Sequence, residues 1–472
     1  MSGEIQKLPL REKIGYGFGD LASVLFWQTI MVYLLYFYTD VFGLTAKAAG
    51  VMFFVSRVSD ALFDVVIGMT ADRTKSRWGK FRPYILWGAV PLAVSAVLAF
   101  STPSFADTGK LVYAYITFIS FMFLYSTVNI PYTALLGVIS GDPIERADAA
   151  TSKFIGAFSA GIIVSATALP LAKYFGEGND AKGWHMTMII YGAAAVVFLL
   201  VTFLSVRERV QPIAKERTNV ASDLHDLSLN VPWILLFIVT ILFILFVCIR
   251  MNVTTHYFKY YIGEQEVTLF GKTHKYGFEV LASAFNTVGQ LLSLIGLAMI
   301  PLFARYLGRK KAAIFLFVTA LVCTGAFYFL KPDNLLLIFV FQAVGSLTGG
   351  PISALLWIMY ADTADYSEWK TGRRATGLVF SASIMSNKLG WAIGSMIAAF
   401  ILAKTGFVAN VAQNIGVLNG LKEMMSIIPV AVGTVALIIL VFFYKLDEET
   451  MSKVKAGLDE RRKAAGEVAS AA

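Results

Sequence analysis

The chain has 472 residues, of which 57% are hydrophobic and only 15% charged, against about 25% charged in ordinary soluble domains. That balance excludes a soluble enzyme or soluble binding module and places the chain in a membrane. The net charge of +9 does not point to nucleic acid, because the basic residues gather in polar segments between apolar runs, where they set topology.

A helix needs about 20 apolar residues to cross roughly 30 Å of hydrocarbon, and twelve such runs are read along the chain. They are expected at 18–42, 46–71, 84–103, 110–138, 149–174, 184–206, 231–259, 278–302, 312–330, 334–360, 376–403 and 421–445. The fold class is therefore all-α, a polytopic membrane protein with twelve transmembrane helices. The first thirteen residues are polar and basic and the first run is long enough to stay in the bilayer, so no cleavable signal is expected. With a cytoplasmic N-terminus, most Lys and Arg fall in cytoplasmic segments, which places both termini in the cytoplasm. Cys248 and Cys323 lie inside predicted helices and read as small apolar packing residues.

The second run carries Arg57, Asp60 and Asp64 in an otherwise apolar stretch. A carboxylate near the bilayer centre costs about 2.5 to 3.5 kcal/mol even on the lenient insertion scale. Two on one helix face, able to approach within about 6 Å, call for a cation, a proton or a basic partner. This is the clearest functional signal in the chain.

The longest internal polar segment, 207–230, divides the spans six to six. An N-terminal bundle of 1–206, a cytoplasmic middle loop of 207–230, a C-terminal bundle of 231–446 and a cytoplasmic tail of 447–472 are expected. A basic loop follows the second helix of each half, Gly68 to Pro83 and Gly296 to Lys311. Matching positions of this kind fit two six-helix bundles related by a pseudo-two-fold axis, with a substrate site between them near mid-depth. The tail after Lys445, rich in Lys, Glu and Ala, reads as a solvated helix or a disordered end.

Five ordered motifs then carry a specific resemblance. Asp60-Ala-Leu-Phe-Asp64 with Asp72-Arg-Thr-Lys-Ser-Arg-Trp-Gly-Lys-Phe-Arg-Pro83, Tyr16-Gly-Phe-Gly-Asp20 with Tyr36-Phe-Tyr-Thr-Asp40, Asn129-Ile-Pro-Tyr132, Asp362-Thr-Ala-Asp-Tyr-Ser-Glu-Trp369 and Asn387-Lys-Leu-Gly390 span both halves. The chain resembles the glycoside-pentoside-hexuronide:cation symporters, the melibiose permease relatives of the major facilitator superfamily. The resemblance implies a cation site formed by Asp60, Asp64 and the hydroxyl of Ser126, with Lys388 nearby. Arg57 and Lys388 are the expected charge partners, and packing ion pairs are the bland alternative for both. Phe63 stands where the melibiose permease branch has asparagine, which leaves Na⁺, Li⁺ and H⁺ open as the coupling ion. Apart from that ion no cofactor or metal is expected, since the sequence shows no nucleophile elbow, metal-ligand cluster or phosphate loop.

A sugar pocket needs groups that take hydroxyls in pairs and an aromatic face against the ring. Asp20, Ser23 and Trp27 share one stripe of the first helix, although Asp20 also reads as a helix-start anchor and Trp27 as packing. An ungapped comparison puts Val24 at the family's first-helix sugar aspartate, Asn129 at its fourth-helix aspartate and Thr133 at its tryptophan. Lys153 falls near the family's fifth-helix arginine. Arg250, Tyr125, Trp357 and Asn387 complete the candidate substrate residues, with Asn286, Gln290 and Gln342 as weaker ones. Lys153 and Arg250 fit an acidic sugar, while Asn129 accepts a neutral one equally. His256 reads as interfacial. The basic loop residues Arg73, Arg77 and Lys80 and the acidic residues Asp362, Asp365 and Glu368, the latter placed in the matching loop of the second half, are the expected cytoplasmic gate; lipid anchoring is the alternative for the basic set.

The expected function is cation-coupled symport of a sugar, glycoside, pentoside or hexuronide into a bacterial cell across the inner membrane by alternating access, with Na⁺ or H⁺ as partner ion. The protein is expected to work as a monomer, with the lipid bilayer, a small sugar and a monovalent cation as partners and no nucleic acid. A carrier of another small organic anion and a non-transporting sugar sensor are the rivals.

Overall fold

The computed structural model describes residues 7–140, 142–209, 227–269, 272–371 and 376–471. The helical spans follow the twelve apolar runs. The first half contains α1 (Leu10–Tyr36, prolonged by a π-helical turn, Phe37–Val41), α2 (Ala46–Arg73), α3 (Arg82–Ala99), α4 (Asp107–Leu135), α5 (Pro143–Gly176) and α6 (Asp180–Ser205). The second contains α7 (Val231–His256, prolonged by a π-helical turn, Tyr257–Ile262), α8 (Phe278–Ala298), a short α9 (Ile300–Leu307), α10 (Arg309–Ala326), α11 (Leu335–Thr371) and α12 (Thr376–Lys404). The twelfth span is built from α13 (Ile415–Met425) and α14 (Ile427–Ile438, with a π-helical turn to Phe443), and α15 (Glu448–Ala471) follows it.

Among the described residues ten spans are long and apolar enough to cross a membrane. The other two, α2 and α10, are set apart by charge: α2 holds Arg57, Asp60 and Asp64, and α10 opens on Arg309, Lys310 and Lys311. One departure from all-helical structure was not expected. An antiparallel pair, β1 (Gln265–Leu269) and β2 (Lys272–Tyr276), lies between α7 and α8 with Val267 opposite His274.

Contacts divide the chain into two compact units. Unit 1 comprises Met1–Lys215, Met251–Gln290 and Ser395–Leu421; unit 2 comprises Glu216–Arg250, Leu291–Gly394 and Lys422–Ala472. In unit 1, α1 and α5 pack closely through glycine. A Cβ on Gly156 would lie 2.1 Å from the carbonyl oxygen of Gly17, so these backbones meet at a distance only small residues allow. Next to Gly17 on α1, Tyr16 stacks on Tyr132 with ring centroids 4.8 Å apart. The Tyr132 hydroxyl donates to the Tyr16 carbonyl at 2.7 Å, tying α1 to α4. In unit 2 the core gathers Leu236, Phe243, Phe317, Leu355 and Leu440.

Each unit repeats one device at the start of the third helix of its half. In unit 1 the Glu208 carboxylate accepts the N–H groups of Lys80, Phe81 and Arg82 at 2.8, 2.7 and 3.1 Å. Gly79, with φ +107°, leaves room for it. In unit 2 the Glu448 carboxylate accepts the N–H of Arg309 at 2.8 Å, beside Gly308 at φ +75°. A carboxylate at a helix N-terminus satisfies N–H groups that have no partner in the helix and complements its dipole. The backbone N–H and the guanidinium of Arg309 hold the Glu448 carboxyl below the usual glutamate range. This is the structural counterpart of the paired basic loops.

Three expectations are corrected. Asp362, Asp365 and Glu368 lie within α11 rather than in a loop. Their spacing of three fits a helix face, and 37 residues at about 1.5 Å each extend well past the hydrocarbon core. Asp20 does not anchor a helix start, because α1 begins at Leu10 and places it about three turns in. His256, at the end of α7, is fully buried. The tail is not solvated all round: Met451, Val454 and Leu458 bury one face of α15 in the unit 2 core. Cys248 and Cys323 are buried and form no disulfide. Residues 210–226, which carry most of the middle loop, lie outside the described residues.

Replacing Gly156 with alanine is expected to force α1 and α5 apart and to cost about 1–3 kcal/mol, read as a lower thermal midpoint of the purified protein. Gly349→Ala, where a Cβ meets nothing within 4 Å, is the matched control and should leave the midpoint in place.

Candidate functional site

The site is built on α2, α4, α1 and α5, all within unit 1. Helical periodicity puts Asp60 and Asp64 on one face of α2, and α4 presents Ser126 to both. Ser126 Oγ lies 2.8 Å from Asp60 Oδ1 and 2.8 Å from Asp64 Oδ1. Asp60 and Ser126 are each 3% exposed, so water does not screen this contact. A serine hydroxyl has one proton and donates to one carboxylate only. Asp64 is half-buried, and the two carboxylates with the hydroxyl make an oxygen set of the kind that hard monovalent cations prefer.

Arg57, one turn before Asp60, is 7% exposed. Its guanidinium carbon sits 4.6 Å from the ring centroid of Trp27, and its Nη2 donates to the Met31 sulfur at 3.2 Å. Trp27 and Met31 are four apart on α1, so one face of that helix holds the arginine. Trp27 also stacks on Tyr125 at 5.4 Å with an interplanar angle of 28°. Tyr125 is the residue before Ser126, and so the aromatic pair runs directly into the carboxylate site.

At the other end of this stripe, Lys153 on α5 faces Asp20 on α1 at 4.0 Å and sits 5.6 Å over the Tyr132 ring. The glycine contact between α1 and α5 makes that approach close enough for an ion pair. Ser23 is buried and donates back to the Gly19 carbonyl at 3.0 Å. Its proton is thus held by its own helix. Asn129 is half-buried, one turn beyond Ser126 on α4.

Arg250, Trp357, Asn387 and Lys388 belong to unit 2, whereas Asn286 and Gln290 belong to unit 1. Arg250 reaches Thr324 at 3.2 Å and Gln342 at 3.3 Å, over the ring of Phe327. Trp357 stacks on Phe380 at 6.1 Å against the unit 2 core. Asn387 donates to the Ser383 carbonyl of its own helix at 3.4 Å, and Lys388 follows it, half-buried. Among the gate residues, Asp362 pairs with Arg309, and Glu448 holds the same guanidinium at 3.3 Å. Arg77 lies 4.2 Å over Trp78, Lys80 is fixed by Glu208 through its backbone, and Arg73 is exposed at the end of α2. Sequence reasoning missed Met31, Tyr16 and Glu208. Only Tyr16 carried a signal, inside the motif that ends at Asp20.

Charged side chains on inward faces of membrane helices are costly to keep and mark substrate or ion pathways. Comparison with known proteins agrees. Residues 15–448 match the family model described as MFS/sugar transport protein. The symporter YnaJ of Bacillus subtilis is 35% identical over 469 residues, covering 98% of this chain and 97% of that one. The inner membrane symporter YicJ of Escherichia coli is 34% identical, covering 97% and 96%. The isoprimeverose transporter of Lactiplantibacillus pentosus is 35% identical, covering 96% and 92%. A solved bacterial homologue of the human lysosomal transporter Spinster, in its inward-facing and unoccupied conformation, shares the fold. Its TM-score is 0.67 at 15% identity, covering 94% of this chain and 98% of that one. The chain belongs to the sugar-transport family of glycoside-pentoside-hexuronide:cation symporters within the major facilitator superfamily.

The Asp20–Lys153 contact is partly buried, at 13% and 20% side-chain exposure. A double-mutant cycle with Asp20→Asn and Lys153→Gln should give a coupling energy of about 1 kcal/mol in thermal unfolding. Additive single effects would show that the two side chains are neighbours without interaction.

Proposed function

We propose that the protein is a secondary active transporter that carries a glycoside or related sugar together with a monovalent cation, Na⁺ or H⁺, across a bacterial inner membrane. The observation that carries this reading is the single Ser126 hydroxyl 2.8 Å from both Asp60 and Asp64. Hard monovalent cations prefer oxygen ligands, and a proton shared by the same oxygens does equivalent work. Driving one charge inward gains about 2.3 kcal/mol per 100 mV of membrane potential, which is the energy source for uphill sugar uptake.

The sugar is proposed to lie against the Trp27–Tyr125 stack, with Asp20, Asn129 and Lys153 as hydroxyl or carboxylate partners. Relatives named for isoprimeverose and for symport support a glycoside substrate. Lys153 supports a second reading in which the substrate carries an acid group. Arg57 is proposed to link the two sites, since it stands one turn from Asp60 and packs on Trp27.

Asp64→Asn should abolish cation-driven accumulation while downhill exchange persists. Uphill uptake that survives the substitution would sink the coupling role. A thermal-shift panel of pentosides, hexuronides and galactosides, with and without Na⁺ and at two pH values, should show stabilisation by one sugar class, larger when its cation is present. A flat response to every sugar would favour the organic-anion alternative.

A further inference from the structure

The densest buried polar network outside this site lies at the far end of α1, within unit 1. There Asp40 is 5%, Thr39 2% and His256 0% exposed. Asp40 Oδ1 accepts a hydrogen bond from Lys259 Nζ at 2.8 Å and another from the Tyr260 hydroxyl. Asp40 Oδ2 lies 3.2 Å from His256 Nε2 and 2.7 Å from the Thr39 hydroxyl. Asn410, in the connection between α12 and α13, closes the network. Its side chain donates to the Asp40 carbonyl at 2.7 Å and accepts from Lys259 at 2.7 Å, and its N–H donates to Tyr260 at 2.8 Å.

The network joins three segments distant in sequence, the ends of the first helix of each half and a connection near the end of the chain. Both helix ends change to π-helical geometry at this point, Phe37–Val41 and Tyr257–Ile262, a local distortion frequent at functional sites. Aromatic rings close the cluster. Lys259 lies 5.1 Å over Tyr36 and 5.1 Å over Tyr260, while Phe407 packs on His256 and Tyr260 at 5.3 Å each.

Charged and hydrogen-bonded groups make a reversible joint in a way that an apolar seam does not. When such a cluster parts, water replaces each lost hydrogen bond, so made and broken states differ by little. A truncated partner, by contrast, leaves a buried charge without compensation. Lys173–Glu279, another ion pair between the halves, at 3.0 Å, is exposed at 57% on its lysine side and is screened. The Asp40 cluster is the stronger tie by far.

We propose that Asp40, with His256, Lys259, Tyr260 and Asn410, is a latch that holds this end of the transporter shut and parts when that end opens. The inference goes beyond the proposed symport and does not depend on which cation or sugar is carried. Its test is a spin-label distance measurement in the full chain. Labels at Lys47→Cys and Val411→Cys, both exposed, are introduced in a Cys248→Ala, Cys323→Ala background. Asp40→Asn is expected to shift the distribution toward longer distances, by about tenfold in the ratio of open to shut populations, the change that loss of a hydrogen bond to a charged group produces. Tyr260→Phe and Asn410→Ala, which strand no charge and so keep the test open if Asp40→Asn does not fold, should shift it the same way by a smaller factor. Distributions identical to the parent in the folded variants would overturn the latch.

Discussion

Two carboxylates share one face of a membrane helix, and the bilayer gives them no water with which to share their charge. The side chains around the pair answer that constraint. Ser126 is brought from α4 to touch both oxygens, Arg57 is held one turn away by Trp27 and Met31, and the aromatic pair beside it covers the approach. The oxygens that Asp60, Asp64 and Ser126 bring together are of the kind that hard cations prefer, and charge placed inside a membrane helix is costly to keep.

The scaffold that delivers these groups depends on backbone proximity. Transmembrane helices gain little from apolar association in lipid, so close packing of small residues and a few buried polar ties must fix their positions. Gly17 and Gly156 allow α1 and α5 to touch, which places Lys153 opposite Asp20. The paired tyrosines fix α1 against α4. Glu208 and Glu448 lock the start of the third helix in each half, and this repetition inside the chain is stronger than its faint sequence similarity.

The spans were legible because an apolar run of spanning length has few other readings. Asp60 and Asp64 were legible for the same reason inverted, as charge where charge is expensive. Ser126 has no such mark, being one hydroxyl among many, and it was reached through family resemblance before the geometry placed it. The Asp40 cluster was hidden because Asp40, His256 and Asn410 are each ordinary at a helix end; only the fold brings them together across more than 200 positions. The acidic residues of α11 misled, since a polar stretch after an apolar run looks like a loop unless its spacing of three is weighed as helical.

The central claim is that the Asp60, Asp64 and Ser126 oxygens bind the positive charge that drives transport. Infrared difference spectroscopy of the purified protein reads it most directly, by following the carboxylic-acid carbonyl band while Na⁺ and pH are varied. The account predicts a band that is lost when Na⁺ is added or the pH is raised, and that this change disappears in Asp64→Asn. A carboxylic-acid band indifferent to both ions, or a change that persists unaltered in Asp64→Asn, would contradict it.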